Sequence, residues 1–287
     1  MKIEQAVVFD VFCSDSASGN PAAVYVLTQW PADAVLQTLA ADQPVPVTAF
    51  VVLPPALTEQ QPIEIRWFAG CQEINLCGHG SLAAAAFVLS QRPQWQQVQL
   101  TSMFGDISVA RSSLTLAALS AGHDSFVMCL PAWPAQRPAE LSQLTESLQL
   151  SAQGLVVTDY FATRDLVLVL ASAAQVQAFV PDFALLKQLG PYHALILTAA
   201  LDSADSSQHR GYVLRYFAPN IGINEDLATG SAQCSLAPYW LQHFGAQQLQ
   251  VQQLSSAGGY FIVAAHAADQ IALHAVVRGQ PETPASV

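Results

Sequence analysis

The chain repeats itself, and that repeat limits what it can fold into. Ile65-Arg66-Trp67-Phe68-Ala69 returns as Leu214-Arg215-Tyr216-Phe217-Ala218, 149 residues later. Asp10-Val11-Phe12 returns as Asp159-Tyr160-Phe161 at the same offset. Cys77-Gly78-His79-Gly80 lines up with Thr229-Gly230-Ser231-Ala232 after 152 residues, and Gly105 with Gly258 after 153. Four matches in one order at a nearly constant offset imply two structurally similar halves related by a pseudo-two-fold axis. The expected boundaries are 1–130 for the first half, 131–280 for the second and 281–287 for a flexible tail. Three closely spaced prolines at Pro131, Pro134 and Pro138 mark Trp133 to Pro138 as the linker, since proline suits neither a helix interior nor a central strand.

Within each half, short runs rich in Val, Ile and aromatics alternate with Gly, Pro, Asp or Ser and read as strands. In the first half these are AVVFDVF, AAVYVL, VTAFVVL, IEIRWF, VQLTS, DISVAR and SFVMCLPA. In the second they are the runs within GLVVTDYFATRDLVLVLAS, then HALILTA and GYVLRYFA, and lastly QVQQL and YFIVAAH flanking Gly258-Gly259. Helices are expected at Pro31–Ala41, Gly80–Gln91, Pro181–Leu189 and Ser231–Phe244, the last stopped by Gly245. Leu82 to Leu89 is apolar on every face and must be buried on every side. The expected fold is therefore α+β: two halves, each a barrel-like mixed sheet wrapped around one central apolar helix. Glycines at both helix starts let backbone approach a ligand closely. Two such starts facing one cleft would offer unpaired N–H groups and positive dipole ends to an anion, most simply a carboxylate.

Composition narrows the function. Hydrophobic residues make up 52% of the 287, enough for a sizeable core. Charged residues are only 11%, against the usual quarter, so the surface relies on Gln, Ser, Thr and Ala and buried subunit contacts are expected. A net charge of −11 argues against nucleic acid and against an anionic membrane surface. The N-terminus has no apolar signal core, no apolar run is long enough to span a membrane, and the five cysteines form no CxxC pair. A soluble cytoplasmic protein with free thiols is expected. The histidines show no metal-ligand spacing, and neither a P-loop, a dinucleotide GxGxxG nor a GxSxG elbow occurs.

Three motifs together resemble the PhzF-like family: Gly19-Asn20-Pro21-Ala22-Ala23-Val24, Leu76-Cys77-Gly78-His79-Gly80, and Ile223 to Trp240, INEDLATGSAQCSLAPYW. VTAFVV, RWFAG and RDLVLVL fit it as well, and the resemblance runs from about residue 3 to about residue 278. It implies the diaminopimelate epimerase-like fold, proton transfer without metal or organic cofactor, and a homodimer. The phenazine-biosynthesis member isomerises trans-2,3-dihydro-3-hydroxyanthranilate by moving a proton. Carried over by position, Asn20, Gly78, His79, Gly80, Gly230 and Ser231 would bind the substrate carboxylate or neighbouring polar groups. His79, Asp226 and Cys77 would take part in proton traffic. Cys77 and Thr229 fall where related racemases place two catalytic cysteines. One Cys and one Thr argue against a two-thiol mechanism, because a threonine hydroxyl cannot act as a thiolate.

The sequence departs from the family at its general base. That glutamate belongs where Val47 stands, with Thr48-Ala49-Phe50 fixing the register. Valine neither holds nor releases a proton, and a positioned acid–base group contributes on the order of 10²–10⁴-fold in rate. Asn75 replaces a frequent Asp and Gln233 a frequent His, so two further ionisable groups are absent. Arg66 and Arg215 read as matched strand positions whose stems cover aromatic surface. Glu225 and Asp226 also suit the approach to a helix for dipole reasons. Three readings remain open: an isomerase or epimerase of a small carboxylate, a pseudoenzyme that binds a small anion without turnover, and a structural or interaction protein.

Overall fold

A computed structural model describes residues 5–54, 56–114, 124–138, 148, 150–201 and 210–280. The expected tail lies outside them, as do His123 and His209. The chain divides into two units, Met1–Cys129 with His274–Val287, and Leu130–Leu273.

In the first unit the β-branched and aromatic runs become β1 (Val7–Val11), β2 (Asn20–Leu27), β3 (Val47–Val52), β4 (Ile63–Ala69), a short β5 (Gln72–Ile74) folded back on β4, β6 (Gln97–Ser102), β7 (Gly105–Arg111) and β8 (Asp124–Pro131). Such side chains suit a pleated, half-buried surface. The last strand of the chain, β15 (Gln270–Gly279), lies beside β8 and also pairs antiparallel with β1, Phe9 opposite Gly279 and Val11 opposite Val277. Eight strands thereby close into a barrel, which leaves no free sheet edge among them. Parallel neighbours need a crossover, and helices supply it: α1 (Asp33–Ala41) between β2 and β3, and α2 (Gly78–Gln91) on the path from β4 to β6. The run Gly80 to Ala86, with Val88 and Leu89, is buried. That helix packs against β1, β2, β3, β6 and β7, which is why no face of it is polar. Burying each of Leu82, Val88 and Leu89 stabilises by about 1.5–3 kcal/mol.

The second unit contains β9 (Val157–Ala162), β10 (Leu166–Leu170), β11 (Leu195–Ala200), β12 (Gly211–Phe217), β13 (Gln248–Gln253) and β14 (Gly259–Ala267). Their pairings run antiparallel, parallel, antiparallel, parallel, antiparallel. The first unit runs through the same succession along β1, β2, β3, β4, β6 and β7. The crossovers here are α3 (Ala173–Ala178) with α4 (Phe183–Leu186), and α5 (Gln233–Phe244). α5 is pinned by its aromatics: Trp240 Nε1 donates to Thr198 Oγ1 at 3.0 Å and its ring stacks on Tyr212, while Tyr239 stacks on Phe161. It ends at Gly245, whose φ of +58° is the left-handed conformation glycine adopts freely.

Four features differ from the sequence reading. β15 is not among the expected strands, yet it closes the first barrel, because its partner β1 lies at the other end of the chain. For the same reason the second half does not run unbroken to residue 280, since the stretch from His274 groups with the first unit. The expected linker at Trp133 to Pro138 is part of the second unit: Trp133 N donates to Cys234 O at 2.9 Å, and Gln136 forms a bridge with Ala162. Finally, α3 was not foreseen; it is one short, polar-sided turn capped by Ser172, whose hydroxyl accepts from Gln175 N.

Candidate functional site

The candidate residues fall into two groups, one in each unit. In the first, Cys77 caps α2 with a thiol rather than a hydroxyl: its Sγ accepts from Gly80 N at 3.3 Å and lies 3.4 Å from His79 Nδ1. Its carbonyl accepts from Ser81 N at 3.0 Å and from the Ser81 hydroxyl at 2.7 Å. The amides of Gly78 and His79 donate to no protein acceptor among the described residues. His79 keeps some accessible surface, but surrounding protein desolvates its imidazolium and pushes the pKa down to about 4. At neutral pH it is therefore an uncharged ring that can donate through one nitrogen and accept through the other.

Val47, the first residue of β3, abuts this turn. A Cβ on Gly80 would fall 3.0 Å from Trp67 Cδ1, 3.2 Å from Cys77 Sγ and 3.3 Å from Val47 Cγ1. The glycine is thus required by close approach, and the position expected for the general base is occupied by a buried methyl pair at the start of α2. The indole N–H of Trp67 is buried there without a partner among the described residues. Asn20 is fully buried at the head of β2, two residues before Ala22, the register partner of Val47. It follows Gly19, whose φ is +78° and where any Cβ would collide with Val11 O at 2.2 Å.

In the second unit, the loop before α5 gathers ionisable and hydroxyl groups. Asp226 is half-buried; its amide donates to Tyr216 O at 3.0 Å and its Oδ2 accepts from Thr229 Oγ1 at 2.6 Å. Gln253, buried on β13, holds the loop in place. Its Oε1 accepts from Thr229 N at 2.8 Å, and its Nε2 donates to Asp226 O at 2.7 Å and Thr229 Oγ1 at 3.2 Å. Gly230 and Ser231 follow in the turn that opens α5, their amides uncommitted among the described residues. Ser231 Oγ accepts from Arg164 Nη2 at 3.5 Å; the same nitrogen donates to Tyr216 OH at 3.2 Å. Burial, and then the neighbouring Asp165, push the Tyr216 phenol well up, so it stays protonated.

The expected residues thus assemble as Cys77, Gly78, His79, Gly80 and Val47 around one helix start, and Asp226, Gly230 and Ser231 around the other. Gln233 sits elsewhere: it is in the core, accepting from Tyr212 OH at 2.5 Å and donating to Thr229 O at 3.2 Å. Arg66 and Arg215 are matched strand positions lying over Phe68 and Phe217 and paired with Glu73 and Glu225. Sequence reasoning missed Trp67, Arg164, Tyr216 and Gln253. Three of these lie within motifs already singled out, RWFA, RDLVLVL and its counterpart RYFA. Only Gln253 carries a signal of its own, an amide on the buried end of a strand.

The model of the PhzC-PhzF family, described as phenazine biosynthesis-like protein, matches residues 9–265. An uncharacterized isomerase of Vibrio cholerae is 43% identical over 259 residues, covering 89% of this chain and 82% of that protein. A crystal structure of a PhzF-family phenazine biosynthesis protein from Enterococcus faecalis superposes with a TM-score of 0.80 at 30% identity, covering 97% of each chain. A hydroxyproline epimerase from Agrobacterium vitis, at 10% identity, shares the fold with a TM-score of 0.54 over 99% of this chain and 92% of its own.

Proposed function

This chain belongs to the phenazine biosynthesis-like PhzC-PhzF family, and from that premise we propose that it is an isomerase or epimerase moving a proton on a small carboxylate-bearing substrate, without metal or organic cofactor. One observation carries the reading. Asp226, an ionisable carboxylate oriented by Thr229 at 2.6 Å, stands beside a Gly-Ser turn whose amides have no protein partner among the described residues. Helix-start amides suit a substrate carboxylate. A positioned carboxylate next to them suits removal or return of a proton at the carbon alongside. At the start of α2, His79, neutral at working pH, and Cys77 are that unit's own candidates for moving a proton. The matching succession of strand pairings supports an internal duplication, each sheet wrapped around its own apolar helix. The reading includes a homodimer, which sedimentation would test.

A second reading has its own support: Val47 fills the family's base position with methyl groups packed against Gly80. It makes the protein a binder of small carboxylates without turnover. Proton exchange separates the two. The protein and a Val47→Glu variant are incubated in deuterium oxide with trans-2,3-dihydro-3-hydroxyanthranilate and a panel of small amino and hydroxy acids, followed by NMR. Exchange by the unmodified protein that is lost in Asp226→Asn supports the isomerase. Exchange only in Val47→Glu supports the binder. Silence in both rejects the isomerase reading for these substrates.

A further inference from the structure

We propose that Arg164 is a substrate-binding residue that, with Ser231, takes an anionic group of the ligand and selects carboxylates over their neutral amides. The proposal rests on the isomerase reading only for the identity of the reaction, not for the binding.

The argument begins with how loosely Arg164 is held. It sits in the tight turn joining β9 to β10, where Thr163 N donates to Asp165 O at 3.0 Å. Charge-assisted arginine–carboxylate bonds normally measure about 2.7–2.9 Å. Arg215, in the same unit, meets that standard: its Nε and Nη2 reach Glu225 at 2.7 and 2.9 Å, and its Nη1 donates to Phe179 O at 2.6 Å. Arg164 does not. Both of its contacts with Asp165 are 3.3 Å, its contact with Tyr216 OH is 3.2 Å, and that with Ser231 Oγ is 3.5 Å. Its Nη1 donates to no protein atom among the described residues. An arginine that served only to hold the fold would close these distances.

What the surroundings do is aim the guanidinium. Asp165, with no exposed surface, holds the Nε edge from within. The guanidinium carbon lies over the Trp133 ring, 5.0 Å from its centroid, and the Trp133 amide donates to Cys234 O. The side chain remains 38% exposed. With one face covered by Trp133 and the Nε–Nη2 edge engaged by Asp165, Tyr216 and Ser231, the donors left open among the described residues are the two N–H groups of Nη1. Two open N–H groups on a fixed positive charge, with the Ser231 hydroxyl close by, suit the oxygens of a carboxylate, and charge-assisted bonds favour the anion over its neutral amide.

Binding is measured by calorimetry and by amide chemical shifts, using benzoate against benzamide and serine against serinamide. The unmodified protein is expected to favour each acid over its amide by tenfold or more. Arg164→Gln should lose that preference by weakening the acid alone, and Arg164→Lys should retain part of it. A purely structural arginine would weaken acid and amide alike. The proposal is overturned if the unmodified protein binds no acid of the panel, shows no preference for acids, or keeps the preference in Arg164→Gln. Should that variant fail to fold, the native protein answers instead. Benzoate should slow phenylglyoxal modification of Arg164, read by peptide mapping, while benzamide should not; equal modification with both overturns the proposal. Loss of proton exchange with the acid preference intact would reject the isomerase and leave Arg164 standing. Exchange without the preference would do the reverse.

Discussion

Around the first turn of α2 stand Val47, a capping thiol, an uncharged imidazole and an indole; around the approach to α5 stand a carboxylate, two hydroxyls, a phenol and a guanidinium. Both turns carry glycine and leave backbone amides uncommitted, and both follow the same strand order. On the proposed duplication, what the backbone supplies at each turn was kept while the side-chain chemistry diverged. A donor array made of peptide groups tolerates sequence drift because any residue contributes an N–H. A proton-transfer group does not, since one substitution removes it. In this chain the capacity to hold a charge at neutral pH is concentrated at the α5 side.

The strongest way to break that asymmetry is to restore a carboxylate at α2. Val47→Glu is expected to raise the rate of substrate proton exchange by about 10²–10⁴-fold, the contribution of a positioned acid–base group, read by NMR in deuterium oxide. No change would mean that the α2 start takes no part in the chemistry. The converse substitution, Asp226→Asn, is expected to lower any exchange by a comparable factor with little change in Tm, because the amide oxygen still accepts from Thr229. An unchanged rate would move the proton transfer away from the α5 side.

A smaller effect tests the neutral state of His79. Its folded pKa of about 4 lies below the ordinary value near 6.5, so the unfolded chain takes up the proton first. Stability is then full above about pH 6.5 and falls as the pH drops towards 4, by roughly 3 kcal/mol from this group. His193 and His274 are also shifted down by burial and add to the slope. Urea unfolding at pH 7 and pH 4.5 should therefore show a shallower loss in His79→Asn than in the unmodified protein; equal losses would refute a desolvated imidazole. The smallest difference concerns the matched arginines. Arg215, 11% exposed and bonded to carbonyls as well as Glu225, should cost about 2–3 kcal/mol when replaced by alanine. Arg66, 24% exposed and held by Asp33 and Glu73, should cost about 1 kcal/mol. Equal costs by chemical denaturation would show that the two strands are energetically as well as topologically equivalent.

Much of this was legible in the sequence because it rests on local rules. The all-apolar stretch after Gly80 could only be a buried helix, and Gly245 could only end one. The strand runs announced themselves by branched and aromatic side chains, and the offset between Arg66 and Arg215 revealed the repeated order. What stayed hidden depends on where distant segments meet. β15 carries branched side chains, but the partner that makes it a barrel strand, β1, lies at the other end of the chain. Arg164 looks like the first residue of an apolar strand, and only folding places it over Trp133 and beside Ser231. Trp133 itself read as part of a linker because proline spacing speaks to local backbone and not to what the backbone lies against. Gln233 shows the opposite error: it stands in a functional motif, yet its amide serves the core.

The closure of the first barrel by the chain's last strand also fixes an order of events during synthesis. Phe9 and Gly279 are partners in adjacent strands, so the side of β1 that β15 covers stays open until residue 279 has been made. The β9–β14 sheet meets no such delay, since its strands emerge in succession, and contacts of short separation form fastest. A nascent chain released early would expose the edge of β1, a site prone to pairing with other chains. The N-terminal unit is thus the first to be made and the last to be finished, and cutting the gene at residue 130 would yield a seven-stranded sheet with an open seam instead of a domain.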